Sequence, residues 1–149
     1  NKMYKARLFA TNHARLYEAL YKASSPIILS LLRGVNMLTR DKLDRPITWV
    51  EKKVKGFMFD CQMCGNCVLS TTGMTCPMNC PKTLRNGPCG GVRENGNCEV
   101  KQNMRCVWVE AWNGSIKMKN NSKIQEIQFA VNNNHKDTSA WIRLAREGK

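Results

Sequence analysis

The chain has 149 residues, 24 Lys and Arg against 11 Asp and Glu, and eight cysteines. Its length suits one domain, or one compact module with extended arms. The formal net charge of +13 favours an acidic protein, nucleic acid or a phosphorylated ligand without choosing among them. The longest strongly apolar run, Pro26-Ile27-Ile28-Leu29-Ser30-Leu31-Leu32, falls far short of the roughly 20 residues of a membrane span. No signal-peptide core is visible at the start, so the expectation is a soluble, cytoplasmic protein.

Residues 2–23 read as a helix, with Tyr4, Leu8, His13, Leu16, Tyr17, Leu20 and Tyr21 recurring at three- and four-residue steps. His13 reads as a residue packed among these aromatics. Ser25-Pro26 makes an N-cap and first helical position for a second helix reaching about Met37. A third short helix starts near Pro46 and runs through Trp49, Val50 and Val54 to Gly56, where glycine is a natural stop.

From Phe57 to Cys106 the character changes. Every cysteine lies here, among recurring glycines at Gly65, Gly73, Gly87, Gly90, Gly91 and Gly96, and regular secondary structure should be sparse. Such a stretch buries too few side chains to order itself, so inorganic centres must serve as its core. Val107-Trp108-Val109-Glu110-Ala111-Trp112 fits a strand or a short helix equally. Beyond Gly114 a polar linker carries Lys117, Lys119, Asn120, Asn121 and Lys123, followed by an extended segment with Ile124, Ile127, Phe129 and Val131. After a loop over Asn132–Asp137, Thr138 or Ser139 caps a last helix with Trp141, Ile142 and Leu144. The fold class expected is α plus irregular: N-terminal helices over 1–56, a loop-rich cysteine core over 57–112, and a tail over 113–149. The spaced apolar anchors of that tail suit a partner's surface, and equally the chain's own helices.

The cysteine spacing carries the chemistry. Cys61, Cys64 and Cys67 stand at steps of three; Cys76-Pro77 and Cys80-Pro81 follow, then Cys89, Cys98 and Cys106. Clustering of this kind, without an export signal, argues for thiolate ligation of metal and against disulfides. Bacterial ferredoxins use a C-x2-C-x2-C run with a later Cys-Pro, which favours iron–sulfur. Structural zinc takes paired ligands: Cys61/Cys64 with Cys76/Cys80 would make one site and Cys67, Cys89, Cys98 and Cys106 a second, leaving Cys67 stranded beside the first. Eight ligands match two 4Fe–4S clusters, two zinc ions, or one cluster plus one zinc, and interleaved ligation is open because a Cys-Pro cysteine can serve the other cluster. Two tetra-thiolate centres of about −2 each would bring the loaded protein to about +9. The turn Asn86-Gly87-Pro88-Cys89-Gly90-Gly91 is expected to use positive φ at its glycines, and Met63, Met74, Met78, Phe57 and Phe59 to form a dry shell. The two histidines, His13 and His135, flank the block with no acid near in sequence. No catalytic set for acid–base or nucleophilic work is visible.

The stretch Phe59-Asp60-Cys61-Gln62-Met63-Cys64-Gly65-Asn66-Cys67-Val68-Leu69-Ser70, then Cys76-Pro77-Met78-Asn79-Cys80-Pro81-Lys82, then Leu84-Arg85-Asn86-Gly87-Pro88-Cys89-Gly90-Gly91-Val92, continuing through Cys98-Glu99-Val100 and Cys106-Val107-Trp108, closely resembles the methylenetetrahydrofolate reductase C-terminal family. The resemblance covers about the central third of the chain. It implies that all eight cysteines are ligand candidates. It also implies a module fused to, or standing beside, a flavin-dependent reductase barrel; that family has been described with zinc and with iron–sulfur. The flavin belongs to the partner, so this chain is expected to be a non-catalytic subunit. Three readings follow. The leading one is an iron–sulfur electron-transfer subunit of a methylenetetrahydrofolate reductase-type flavoenzyme complex, with a further redox protein as a second partner. The alternative is a zinc-stabilised assembly module for a folate-linked reductase or methyl-transfer complex, without redox role. The third, a basic zinc module on nucleic acid, fits the charge, but the aromatics are not interleaved with Lys and Arg as a stacking platform needs.

Overall fold

The computed structural model describes residues 2–39 and 42–147. Its α-helices are α1 (Lys2–Asn12), α2 (Ala14–Thr39), α3 (Asp44–Phe59), α4 (Val107–Lys117) and α5 (Ala140–Glu147), with short 3-10 turns at Pro77–Asn79, Asn121–Gln125 and Asn133–His135. Among the described residues there is no β-strand, only the isolated bridges Val92–Cys98 and Asn97–Arg105. The architecture is therefore helical plus irregular, and the long middle stretch is as poor in regular structure as its composition implies.

The first helices differ from expectation in where they break. The helix expected over 2–23 divides at His13, whose ring Nδ1 lies 3.0 Å from the Phe9 carbonyl that its own amide also approaches at 3.0 Å. A side chain competing for a helix carbonyl disturbs the ladder locally. His13 itself is exposed, its ring 4.1 Å from that of Phe9. The break expected at Ser25-Pro26 is absent, and α2 runs straight through Pro26. Proline leaves the carbonyl of Lys22 without its helical donor, but Lys22 and Pro26 are both exposed, so water can serve it. The second half of α2 is held by α5: Leu32 is buried, and Arg33 Nε donates to the Ala145 carbonyl at 3.3 Å.

Helix α3 begins two residues before Pro46 and continues past Gly56 to Phe59. The stop is Asp60, left-handed at φ 54°, with the amides of Asp60 and Cys61 donating back to the carbonyls of Gly56 and Lys55. Val107–Trp112 resolves as helix. Burial of Val107, Trp108, Ala111, Gly114 and Ser115 on one face follows the 3.6-residue period, which a strand could not satisfy. Ser139 is the cap of α5, its Oγ accepting the Ile142 amide at 3.2 Å.

Two small apolar clusters form the interior. Ala10, Ala14, Phe59, Leu69, Met74 and Met118 close around Cys76, flanked by Tyr17 and Tyr21. Cys106, Trp108 and Ala111 form the other, with Val92, Val109 and Ile124 against them. Helix α4 spans the space between, and the turn at Gly73 presses on it. Gly73 sits at φ +59°, and a Cβ there would lie 2.2 Å from the Ala111 carbonyl oxygen; one on Gly114 would lie 2.2 Å from the Gly73 oxygen.

Alanine in a helix normally outperforms glycine by roughly 0.5–1 kcal/mol. Gly34→Ala, at an open helical position, is expected to stabilise by about that amount. Gly114→Ala should instead destabilise by about 2 kcal/mol through overpacking. Urea unfolding of the two variants beside the parent checks the opposite signs.

Candidate metal centres

The chain enters the cysteine block directly from the left-handed end of α3. Cys61, Cys64, Cys67 and Cys76 line one small cavity, together with Glu51, Lys55, Met63, Met78 and Arg85. Within the loop, Met63 at φ 48° and Gly65 at φ 70° turn the backbone back on itself, which lets sulfurs three residues apart face one space. The Met63 amide donates to Cys61 Sγ at 3.4 Å. Gly65 admits the tail: a Cβ there would lie 2.2 Å from the His135 carbonyl oxygen. The tail is strapped across this loop by the Asp137 amide on the Met63 carbonyl (2.8 Å) and by Arg143 Nη1 on Asn66 Oδ1 (3.0 Å). Thr138 and Ala140 complete the cavity wall.

The last four cysteines line a separate cavity. Cys80, Cys89, Cys98 and Cys106 line it with Pro81, Lys82, Leu84, Val92, Val107 and Trp108. The switch from one cavity to the other occurs within a single 3-10 turn, Pro77–Asn79, closed by the Asn79 amide on Cys76 and the Cys80 amide on Pro77. Cys76 falls on the first side of that turn and Cys80 on the second. Cys98 and Cys106 are brought together by bonds from Cys98 N to the Met104 carbonyl (2.9 Å) and from Cys106 N to Gly96 (3.0 Å). Cys106 then stands at the N-terminus of α4 as its N-cap residue. Gly87 does not use positive φ, and neither do Gly90 and Gly91. Gly87 is needed for close approach instead: a Cβ would sit 2.3 Å from Trp108 Cδ1, whose Nε1–H donates to the Leu84 carbonyl at 3.1 Å.

The grouping is thus sequential, not interleaved. Cys80 lines the second cavity and Cys67 the first, so Cys76 and Cys80 lie on different cavities. None of the eight cysteines is in a disulfide. As placed, the sulfurs surround a space and do not converge on a point: among the described residues no three Cys, His, Asp or Glu side chains close on a single ion position. Of the expected dry shell, Met63 and Met78 line the first cavity, Met74 and Phe59 lie in the adjoining core, and Phe57 is exposed. His135 covers Gly65 and lines neither cavity.

The electrostatics of the first cavity rest on three residues the cysteine spacing does not reveal. Lys55 Nζ stands 3.7 Å from Cys67 Sγ and 2.5 Å from Glu51 Oε1, with both charged side chains almost wholly buried. Burial works against the Lys55 charge, but Cys67 and Glu51 outweigh it and raise its pKa. Ser139 Oγ donates to the other Glu51 oxygen, and the Trp141 ring lies 4.8 Å from Lys55 Nζ. Arg85 places Nη1 and Nη2 on the Asn66 carbonyl at 3.3 Å each, while its Nε–H is buried without a hydrogen-bond acceptor. The hydrogen bond between the Cys76 and Cys61 side chains lowers the Cys61 pKa and raises that of Cys76. In sequence, Glu51 and Lys55 read as an ordinary i,i+4 surface pair, and nothing there signals their burial. An unsatisfied cationic donor beside four sulfurs fits an anionic inorganic group bound by thiolates.

The fold is a set of helices framing an irregular cysteine-rich segment, whose eight cysteines line two cavities. A family model described as methylene-tetrahydrofolate reductase C terminal matches residues 41–134, well over half of the chain, and the chain belongs to that family. No curated protein and no solved structure matches it significantly. No helix among the described residues is long and apolar enough to cross a membrane.

If each set of four acts as a unit, Cys64→Ser and Cys98→Ser should each cut bound metal to about half of the parent level, since each set supplies one tetra-thiolate site. The double variant should bind almost none. Elemental analysis of the purified proteins checks this, and a loss confined to one of the two single variants would contradict the grouping.

Proposed function

We propose that this chain is the iron–sulfur, electron-transfer subunit of a methylenetetrahydrofolate reductase-type flavoenzyme complex, holding two 4Fe–4S clusters and exchanging electrons with a flavin on its partner. The observation that carries the reading is the division of eight cysteines into two sets of four, each around its own cavity. The first set is a C-x2-C-x2-C run completed by a Cys-Pro cysteine, as in ferredoxins. Bound clusters supply one-electron transfer; the chain's own residues supply the thiolates, fixed charges and apolar walls that set how readily an electron is held. Family membership supports a folate-enzyme partner.

A subunit role also accounts for the surface of α2. Leu16, Leu20, Ile27 and Leu31 are each more than half exposed and recur on one helical face, while Glu18, the helix's acid, is buried on the opposite side with Lys22 paired to it. An exposed apolar stripe of this kind suits docking to a partner's apolar surface.

Anaerobic purification should give a brown protein with a broad band at about 400 nm, bleached by dithionite, and about eight irons per chain. A colourless protein with about two zinc ions per chain would overturn the electron-transfer reading and leave a structural module.

A further inference from the structure

The two cavities carry the same number of sulfurs but different fixed charges. In the first, the Lys55 ammonium is clamped between Cys67 Sγ at 3.7 Å and Glu51. Its side chain is 5 % exposed and that of Glu51 1 %. Ser139 and the Trp141 amide engage the far oxygen of Glu51, so neither partner of the pair is left to water. Arg85 adds a second cation to the same wall. The second cavity has one cationic neighbour, Lys82, which touches Cys89. Lys82 is 40 % exposed and paired with Glu99, itself 41 % exposed.

Charge acts strongly where water is excluded and weakly where water screens it. Lys55 therefore stabilises negative charge on the first set of sulfurs far more than Lys82 does on the second. Glu51 opposes Lys55, but the ammonium is the charge in contact with the sulfur. Reduction adds one negative charge, so the first site should accept it more readily.

We propose that the buried Lys55 ammonium makes the centre held by Cys61, Cys64, Cys67 and Cys76 the more easily reduced of the two, so that an electron entering the module comes to rest there. The inference rests on the iron–sulfur reading. One electron passes from a one-electron donor, reduced flavin on the partner or dithionite in the test, to the first centre. No bond is made or broken and no proton is required. Lys55 and Glu51 are positioning residues that act through the field they place on the sulfurs.

The test is an anaerobic redox titration of the full chain by electron paramagnetic resonance, with iron measured on the same samples and Cys98→Ser used to identify the first centre's signal. The parent should show two separate potentials, the higher belonging to the first centre. Lys55→Gln should lower that potential and leave the other in place. Lys55→Arg should restore it, Glu51→Gln should raise it, and Lys82→Gln should leave both centres near parent values. Opposite shifts from the two partners of one ion pair are not expected of a general loosening of structure. Should Lys55→Gln fail to retain iron, the direction of the Glu51→Gln shift decides alone. Iron-loaded variants whose potentials do not move, or move together, would overturn the inference and leave the iron–sulfur reading standing. A protein that carries zinc and no iron would overturn both.

Discussion

The need to surround four sulfurs twice, within fewer than fifty residues, governs most of this molecule. Between Cys61 and Cys106 the chain has neither a strand nor an α-helix to pair its backbone, and few large apolar side chains to bury. Its cysteines gather at two points, the cavities lined by Cys61, Cys64, Cys67, Cys76 and by Cys80, Cys89, Cys98, Cys106. Cys76 and Cys106 are themselves members of the two apolar clusters, so the sulfur sites and the hydrophobic interior are continuous. The 3-10 turn between Cys76 and Cys80 ties the sites together, and neither can shift far without dragging the other.

The helices serve this constraint more than they form a bundle of their own. Helix α3 delivers the chain to Cys61 through the left-handed Asp60 and sends Glu51 and Lys55 inward from the same face. A buried ion pair is costly to desolvate and is weak evidence for stability. Here its geometry instead links three elements, since Lys55 meets Cys67 on the loop while Glu51 takes the Ser139 hydroxyl at the cap of α5. The last helix is thereby locked over the first cavity, with Arg143 on Asn66 as a second fastening. On the other side, α4 offers its N-terminus to Cys106 and its glycine face to Gly73, joining the two halves of the block through close backbone contact.

The tail divides at about residue 131. From Asn132 onward it packs on the chain itself, over the first cysteine loop. Before that point Asn86 brackets Gln128, accepting its amide and donating to its carbonyl at 2.8 and 2.7 Å, while Ile127 and Phe129 stand 82 % and 88 % exposed. Large apolar residues held in the open by a fixed backbone, like those on α2, suit a molecule that works inside an assembly.

The sequence by itself determined the inventory: eight thiol ligand candidates at ferredoxin-like steps, helices at the start, an irregular middle, a capped final helix and a family. Those features are local. A cysteine spacing, a Ser cap or a hydrophobic period is written in neighbouring residues and survives whatever the rest of the chain does. His13 and Pro26 misled because a local rule gave way, to a competing ring nitrogen in one case and to solvent serving the orphaned Lys22 carbonyl in the other. The fate of Val107–Trp112 needed the surface it buries. Only the tertiary structure decided which sulfurs share a cavity, because Cys76 and Cys80 are four residues apart and the turn between them alone sends them opposite ways. Only it turned an ordinary Glu51–Lys55 surface pair into a buried charge beside Cys67. Burial and field depend on what folds over a residue from elsewhere in the chain, and no spacing along the chain records that.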